Sequence, residues 1–484
     1  MRRVKIVCTI GPASARQETI SSLIRSGMDV ARLNFSHGTH AEHAQVIRWI
    51  REESSRHEKP VAILQDLQGP KIRIGSLSGG SAKLEREALF TLTTEPIVGN
   101  SERASVSYPD LPRSVRLGDH LLMDDGMIEL EVIKKGAKEI LCKVVYGGIL
   151  RDHKGLNLPG ARIRAQALTP KDRDDLQFGL SQGVDYVAIS FVRNEKDVLD
   201  AKEAIRKSGA QVPLIAKLER LEVIRNLEGV LKVADGVMVA RGDLGVEASV
   251  EEVPILQKEI IRKANELRVP VITATQMLES MVLSPHPTRA EASDIANAVF
   301  DGTDAVMLSA ETASGRYPVE SVETMVRIIK AAEKALFRRP VVRRRAMDRE
   351  GGRTGFADAV SNAASQVSRE AGARLIVTFT RSGATARILS KHRPAAPIIA
   401  FTPEAFVKNR MALLWGVIPQ VMRPIETTDA LITELEKQIL AGRLAKKGDV
   451  VVILSGAPIA RWGETNLMKL HRIGEDQKPG NRGK

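Results

Sequence analysis

The chain has 484 residues, 43% of them hydrophobic and 27% charged, a balance ordinary for soluble globular protein and, at roughly 100–200 residues per domain, enough for two to four domains. That composition excludes global disorder, collagen-like repeats and a disulfide-rich secreted scaffold, and no apolar run approaches the ~18–20 residues that span a bilayer. The net charge of +13 suits polyanions or small phosphorylated ligands, while an aromatic content of 4% leaves few rings on which nucleic-acid bases could stack.

The opening MRRVKIVCTIGP breaks its apolar stretch too soon for a signal peptide. Cys8 and Cys142 sit inside apolar, β-branched runs, which reads as buried small hydrophobes in a reducing, cytoplasmic setting. Short β-branched runs begin near Val4, Asp29, Val61, Val184, Pro213, Ala234, Val269 and Asp304, each followed by a helical pattern. The spacings suit one strand plus one helix, except between Val61 and Val184. Treating residues 75–153 as an insertion largely removes the anomaly. What remains, 1–74 and 154–337, is close to the about 250 residues of a (β/α)8 TIM barrel. A doubly wound sheet shares the pattern, but the count of eight favours the barrel.

Helix signals agree. Thr169-Pro170-Lys171-Asp172 offers an N-cap hydroxyl with Pro at the first helical position, and Gly183 closes that helix. Thr288 and Glu291 have capping-box spacing, with Ile295 and Val299 following on one face. The insertion, rich in turns and short alternating runs, reads as a small antiparallel β domain, a lid on the third βα loop. RRPVVRRR lies in a basic linker, 338–354, read first as solvated and second as a polyanion site. Residues 355–484 begin a second alternating pattern: an open α/β domain with strands expected at Arg374–Thr380, Pro397–Thr402, Gly416–Val421, Asp449–Leu454 and Leu467–Ile473, before a frayed tail.

The expected strand ends are unusually polar. Arg32, Asn34 and Ser36 are spaced by two and share a face in extended chain. Asp66, Lys71 and Arg73 surround a Gly-Pro turn; Lys217 and Glu219 share a face; Arg241 and Asp243 sit in a Gly-flanked loop. Any one of these pairs is best read as a salt bridge. A cluster at successive strand ends of a barrel reads instead as a catalytic rim. Glu219 and Asp243 suit Mg²⁺, which takes one or two protein carboxylates and completes its shell with substrate oxygens and water. Lys217 and Arg32 bring positive charge to a phosphoryl group, and the GDLG turn offers backbone N–H groups, that of Gly242 among them, to a small carboxylate.

The motifs ARLNFSHG, LQDLQGPKIR, HKGLNLPG, AKLER, ARGDLG, ATQMLESM and MLSAET, in that order, with SGAPIARWGETNLMKLH near the end, resemble pyruvate kinase over nearly the whole chain. The resemblance implies a barrel with a small β-barrel lid and a C-terminal α/β domain, and phosphoryl transfer from phosphoenolpyruvate to ADP, giving pyruvate and ATP. It implies Mg²⁺, with Mn²⁺ possible in its place, on Glu219 and Asp243. Lys217 then serves the phosphoryl group and the enolate, Arg32 grips the phosphoryl group with help from Arg73, and Thr275 sits near the carbon that is protonated through water. Gly242 and Asp243 fall in the substrate site, and Arg32, His37 and Lys154 near the nucleotide phosphates. Without the motif, His37 would be a solvated loop histidine.

One departure carries physical content. Many family members have Asp-Thr-Lys-Gly-Pro-Glu where this chain has Asp66-Leu67-Gln68-Gly69-Pro70-Lys71. The usual version binds K⁺ through Asn, Ser and Asp side chains and the Thr carbonyl, here the positions of Asn34, Ser36, Asp66 and Leu67. The ammonium of Lys71 can stand where the ion would sit, which resembles the branch that needs no potassium. The rival reading pairs Lys71 with Asp66 alone. In the C-terminal domain, Thr380, Arg381, Ser382, Gly383 and Thr385 form a phosphate nest between strand and helix, or simply a well-capped helix. The resemblance implies an allosteric site there for a phosphorylated metabolite, and a cytoplasmic homotetramer with no nucleic-acid or membrane partner. Two other classes stay open: a barrel lyase or aldolase with a Mg²⁺-bound enolate, which needs no ADP, and a polyanion-binding protein, which leaves Glu219 and Asp243 unexplained.

Overall fold

The computed structural model describes residues 2–124, 126–160, 166–338, 355–425, 427–456 and 465–475. All of the basic linker but Arg338, the centre of SGAPIARWGETNLMKLH, and the tail beyond Glu475 lie outside them.

Eight strands close into a parallel barrel in chain order: Lys5–Ile10, Val30–Asn34, Ala62–Asp66, Tyr186–Ile189, Leu214–Leu218, Gly236–Ala240, Val271–Ala274 and Ala305–Leu308. Each begins within two residues of its expected start. Continuous apolar runs form these strands because both of their faces are covered: Lys5–Ile10, Ala62–Asp66 and Gly236–Ala240 are buried at every position. The helix starts follow their capping chemistry. Thr169 accepts from the Asp172 N–H while the Asp172 carboxylate accepts from the Thr169 N–H, and Thr288 and Glu291 repeat the arrangement.

The chain divides into two compact units, Met1–Leu33 with Ala41–Leu64 and Met277–Lys484, and Asn34–His40 with Gln65–Gln276. The second holds the inserted region. Six of its strands form one mainly antiparallel sheet, and Ser81–Leu84 pairs with Gly148–Arg151 in a separate ribbon. Among the described residues the two pieces share an apolar core around Phe90, Leu121, Leu130 and Cys142 rather than a closed hydrogen-bonded ring. Cys8 and Cys142 are both buried and free.

The first unit carries the C-terminal sheet, in the order Val417–Val421, Ile398–Thr402, Leu375–Phe379, Val450–Ser455, Leu467–Arg472, with only the last strand antiparallel. Its alternation is legible in the cores. Ile376, Ile398 and Val452 pack on one face, and Val377, Ile399 and Ile453 on the other. This sheet is fastened to barrel elements of the same unit through buried charge. Asp304 receives Lys391 Nζ at 2.5 Å and Arg393 Nη1 at 2.9 Å, and Lys5 Nζ donates to the Val417 carbonyl at 2.8 Å. No described helix is long and apolar enough to cross a membrane.

Burial pushes the Lys5 ammonium down to about 8, with Asp29 opposing the shift. Below pH 8 the folded protein therefore carries the full cost of the buried charge, and between pH 8 and 10.5 the unfolded chain holds more protons than the folded one. Stability is expected to rise across that window by about 3 kcal/mol. Lys5→Met should remove the rise when urea unfolding is followed as a function of pH.

Candidate active site

A cluster of polar contacts gathers where the third, fourth and fifth barrel strands end. Lys217, one residue before the end of its strand, places Nζ 2.8 Å from Glu219 Oε1, 2.8 Å from Ser190 Oγ and 3.4 Å from Asp66 Oδ1. The Glu219 and Asp66 side chains are each only 1% exposed, so Lys217 compensates two carboxylates that water does not reach. Glu219 is fixed from its other side by the Phe191 N–H, which donates to Oε2 at 2.7 Å. Phe191 adopts a positive φ of 57°, an unusual conformation for a bulky side chain.

The sixth strand runs directly into the helix Arg241–Glu247, whose first turn carries Asp243. Asp243 Oδ1 lies 3.8 Å from Lys71 Nζ. Asp66, the rival partner for Lys71, is engaged by Lys217. Gly155 makes room for the Lys71 stem, since a Cβ there would approach Lys71 Cε to 2.9 Å. Burial pushes the Glu219 carboxyl up, Lys217 opposes the shift, and Asp243 adds to it.

Thr275 and Gln276, just past the seventh strand, both have positive φ, 69° and 53°. Arg241 holds that bend by donating to the carbonyls of Ala274, Thr275 and Gln276. Thr275 Oγ1 accepts from the Gly242 N–H at 2.8 Å, so the amide expected to face a small carboxylate is engaged by this hydroxyl.

The remaining expected residues are distributed as follows. Arg32, at the end of the second strand, donates to Thr9 Oγ1 at 3.0 Å. Asn34 Oδ1 accepts from the Ser36 N–H, and the Leu67 carbonyl accepts from Ser190 Oγ at 2.8 Å. Arg73 donates to the His153 carbonyl, and Lys154 is ion-paired with Asp124 at 2.6 Å, which places both at the junction between barrel and insertion. His37 is exposed in its loop. In the C-terminal domain, Thr380 Oγ1 accepts from the Gly383 N–H, Ser382 Oγ from the Ala384 N–H, and Thr385 meets the Thr465 hydroxyl. The Thr380 and Ser382 hydroxyls serve the local turn, while that of Thr385 makes a long-range contact.

Ser190 escaped the sequence reading although it lies just past the fourth strand, as other polar residues lie at the ends of theirs. Its neighbours Ile189 and Phe191 gave it no charged context, and only barrel closure sets it against Lys217.

Among the described residues no group of three or more His, Cys, Asp or Glu is gathered as a metal cage. The donor set still fits a hard cation. Three carboxylates, Asp66, Glu219 and Asp243, face two ammonium groups, Lys71 and Lys217. Asp243 disfavours ionised Glu219, a repulsion that a shared divalent cation relieves.

The family profile for the pyruvate kinase barrel domain matches residues 1–322, and that for the pyruvate kinase alpha/beta domain matches residues 358–471. A pyruvate kinase of Geobacillus stearothermophilus is 46% identical over 477 residues, 98% of this chain and 81% of the relative. One from Staphylococcus saprophyticus is 45% identical over 483 residues, 99% of this chain and 82% of the relative. Among solved structures, a pyruvate kinase from Cryptosporidium parvum superposes with a TM-score of 0.89 at 36% identity, covering 98% of this chain and 96% of its own. With both family domains matched and full-length relatives at this identity, the chain belongs to the pyruvate kinase family.

Proposed function

We propose that this chain moves the phosphoryl group of phosphoenolpyruvate to ADP, leaving pyruvate and ATP, at the rim built around Lys217. The observation that carries the reading is the Lys217 ammonium held by Asp66, Glu219 and Ser190 at a barrel strand end, with Asp243 close enough to disfavour ionised Glu219. Glu219 and Asp243 would hold the divalent cation, Mg²⁺ or Mn²⁺. Bound there, it supplies positive charge to the phosphoryl oxygens and the enolate. Lys217 keeps a fixed ammonium for the charge that develops on the transferred group and then on the enolate oxygen. The family motifs assign Arg32 and Arg73 to the phosphoryl oxygens, Gly242 and Asp243 to the substrate carboxylate, and His37 and Lys154 to the nucleotide phosphates. Thr275, held in its bend, orders the water that protonates the enolate carbon.

Lys71 is read as the replacement for a monovalent cation, with Asn34, Ser36, Asp66 and Leu67 as the remains of that site. The loop of Thr380, Arg381, Ser382, Gly383 and Thr385 is read as the seat of a phosphorylated effector. A cytoplasmic homotetramer with residues 75–153 as a lid completes the proposal by likeness to the family.

Pyruvate formation in a buffer free of K⁺, Na⁺ and NH₄⁺ is expected to proceed and to require ADP. Activity without ADP would favour an enolate lyase. Activity only after K⁺ is added would remove the role of Lys71. In the same assay Lys71→Glu should acquire a K⁺ requirement. Lys217→Met leaves two buried carboxylates uncompensated, so urea unfolding should show a loss of about 3–5 kcal/mol together with the loss of turnover. Titrating phosphorylated metabolites should shift the phosphoenolpyruvate saturation curve of the wild type and leave that of Ser382→Asp unmoved; an unmoved wild-type curve would dismiss the effector loop.

A further inference from the structure

Two buried side chains that the mechanism does not use meet behind the proposed metal carboxylates. Arg220 follows Glu219 directly in the chain. Glu247 ends the helix Arg241–Glu247, one turn beyond Asp243 and therefore on the same side of it. Arg220 Nη1 lies 3.7 Å from Glu247 Oε1, and the two side chains are 5% and 3% exposed. Arg220 Nε also lies 3.5 Å from Glu222 Oε2 within its own loop. The contact with Glu247 crosses from the end of the fifth strand to the helix after the sixth.

We infer that the Arg220–Glu247 ion pair is a positioning device that sets the separation of Glu219 and Asp243, and through it the affinity of the site for a divalent cation. The inference rests on the reading of those two carboxylates as the metal ligands. Neither member of the pair touches substrate in that reading; each acts through its neighbour in the chain or on the helix.

Three observations support it. The pair is desolvated, so its partners separate only at the cost of a buried uncompensated charge. Burial pushes the Glu247 carboxyl up to about 7, with Arg220 opposing the rise and Glu222 and Asp243 adding to it, so Arg220 is the charge that favours the ionised form at that helix end. Arg193, the other guanidinium lining the adjoining cleft, pairs locally with Asp197 at 2.8 Å. The geometric demand comes from the ion. Mg²⁺ asks for near-octahedral oxygens at about 2.0–2.1 Å, so a small relative shift of strand end and helix is felt as lost affinity.

The test is Mn²⁺ binding to the full-length protein without substrate, read by the EPR signal of free Mn²⁺, alongside the Mg²⁺ dependence of turnover. Glu247→Gln should weaken Mn²⁺ binding by roughly 10–100-fold. It should raise the Mg²⁺ concentration for half-activation by a similar factor, with far less effect on kcat at saturating Mg²⁺. Arg220→Lys, which keeps the charge, should retain most of the affinity. Should Glu247→Gln fail to fold, Glu247→Asp shortens the reach and should fall between the two. Wild-type Mn²⁺ affinity in these Glu247 variants, with Asp243→Asn abolishing binding, overturns the inference. Affinity that survives both Glu219→Gln and Asp243→Asn overturns the metal reading beneath it.

Discussion

The ammonium of Lys217 is the constraint on which the rim depends. It sits where three barrel strands end and touches a group from each: Asp66 from the third, Ser190 from the fourth, and Glu219 just past its own. Remove it and two carboxylates shielded from water face each other without compensation. Under the function proposed above, the charge that ties these strand ends together is also the charge offered to a transferring phosphoryl group. On that proposal structure and chemistry draw on one group, and the position tolerates little change on either account.

The inserted region is tied to that rim by its two connecting segments. The Leu156 N–H donates to the Ile72 carbonyl, the Ile74 N–H to the Lys154 carbonyl, and Arg73 reaches the carbonyl of His153. Residues that the motifs place near phosphoryl and nucleotide groups, Arg73 and Lys154, thus lie on the paired segments themselves. Any swing of the insertion carries them with it. Gly155 has a steric duty at this point, because the Lys71 stem passes where its Cβ would be.

The barrel strands were legible because each is a short β-branched run buried on both faces, a pattern that survives without knowledge of its neighbours. The inner C-terminal strands were legible for the same reason, while the edge strand Leu467–Arg472 is partly open to solvent. The partners of the ionisable groups were not. Lys71 and Asp66 are close in sequence and read as one cluster, yet barrel closure gives Asp66 to Lys217 and leaves Lys71 near Asp243. Gly242 read as an amide open to a ligand, because the hydroxyl that engages it comes from Thr275, on the next strand end. Thr380 and Ser382 read as a phosphate nest or as helix caps, and their hydroxyls do bond the turn's own N–H groups. Periodicity fixes which residues lie at a strand end; which of them touch is decided by long-range closure.

A threonine and a glutamine side by side at positive φ store strain of order 1–3 kcal/mol each, and Arg241 restrains them by binding three successive carbonyls. Strain held by so few contacts is local: it can be released while the buried strands behind it stay paired. Warming should therefore disorganise this corner, and with it the step proposed for Thr275, before the barrel itself melts. The thermal limit of such an enzyme is then set at one bend of the rim, and enlarging the apolar core would do little to raise it.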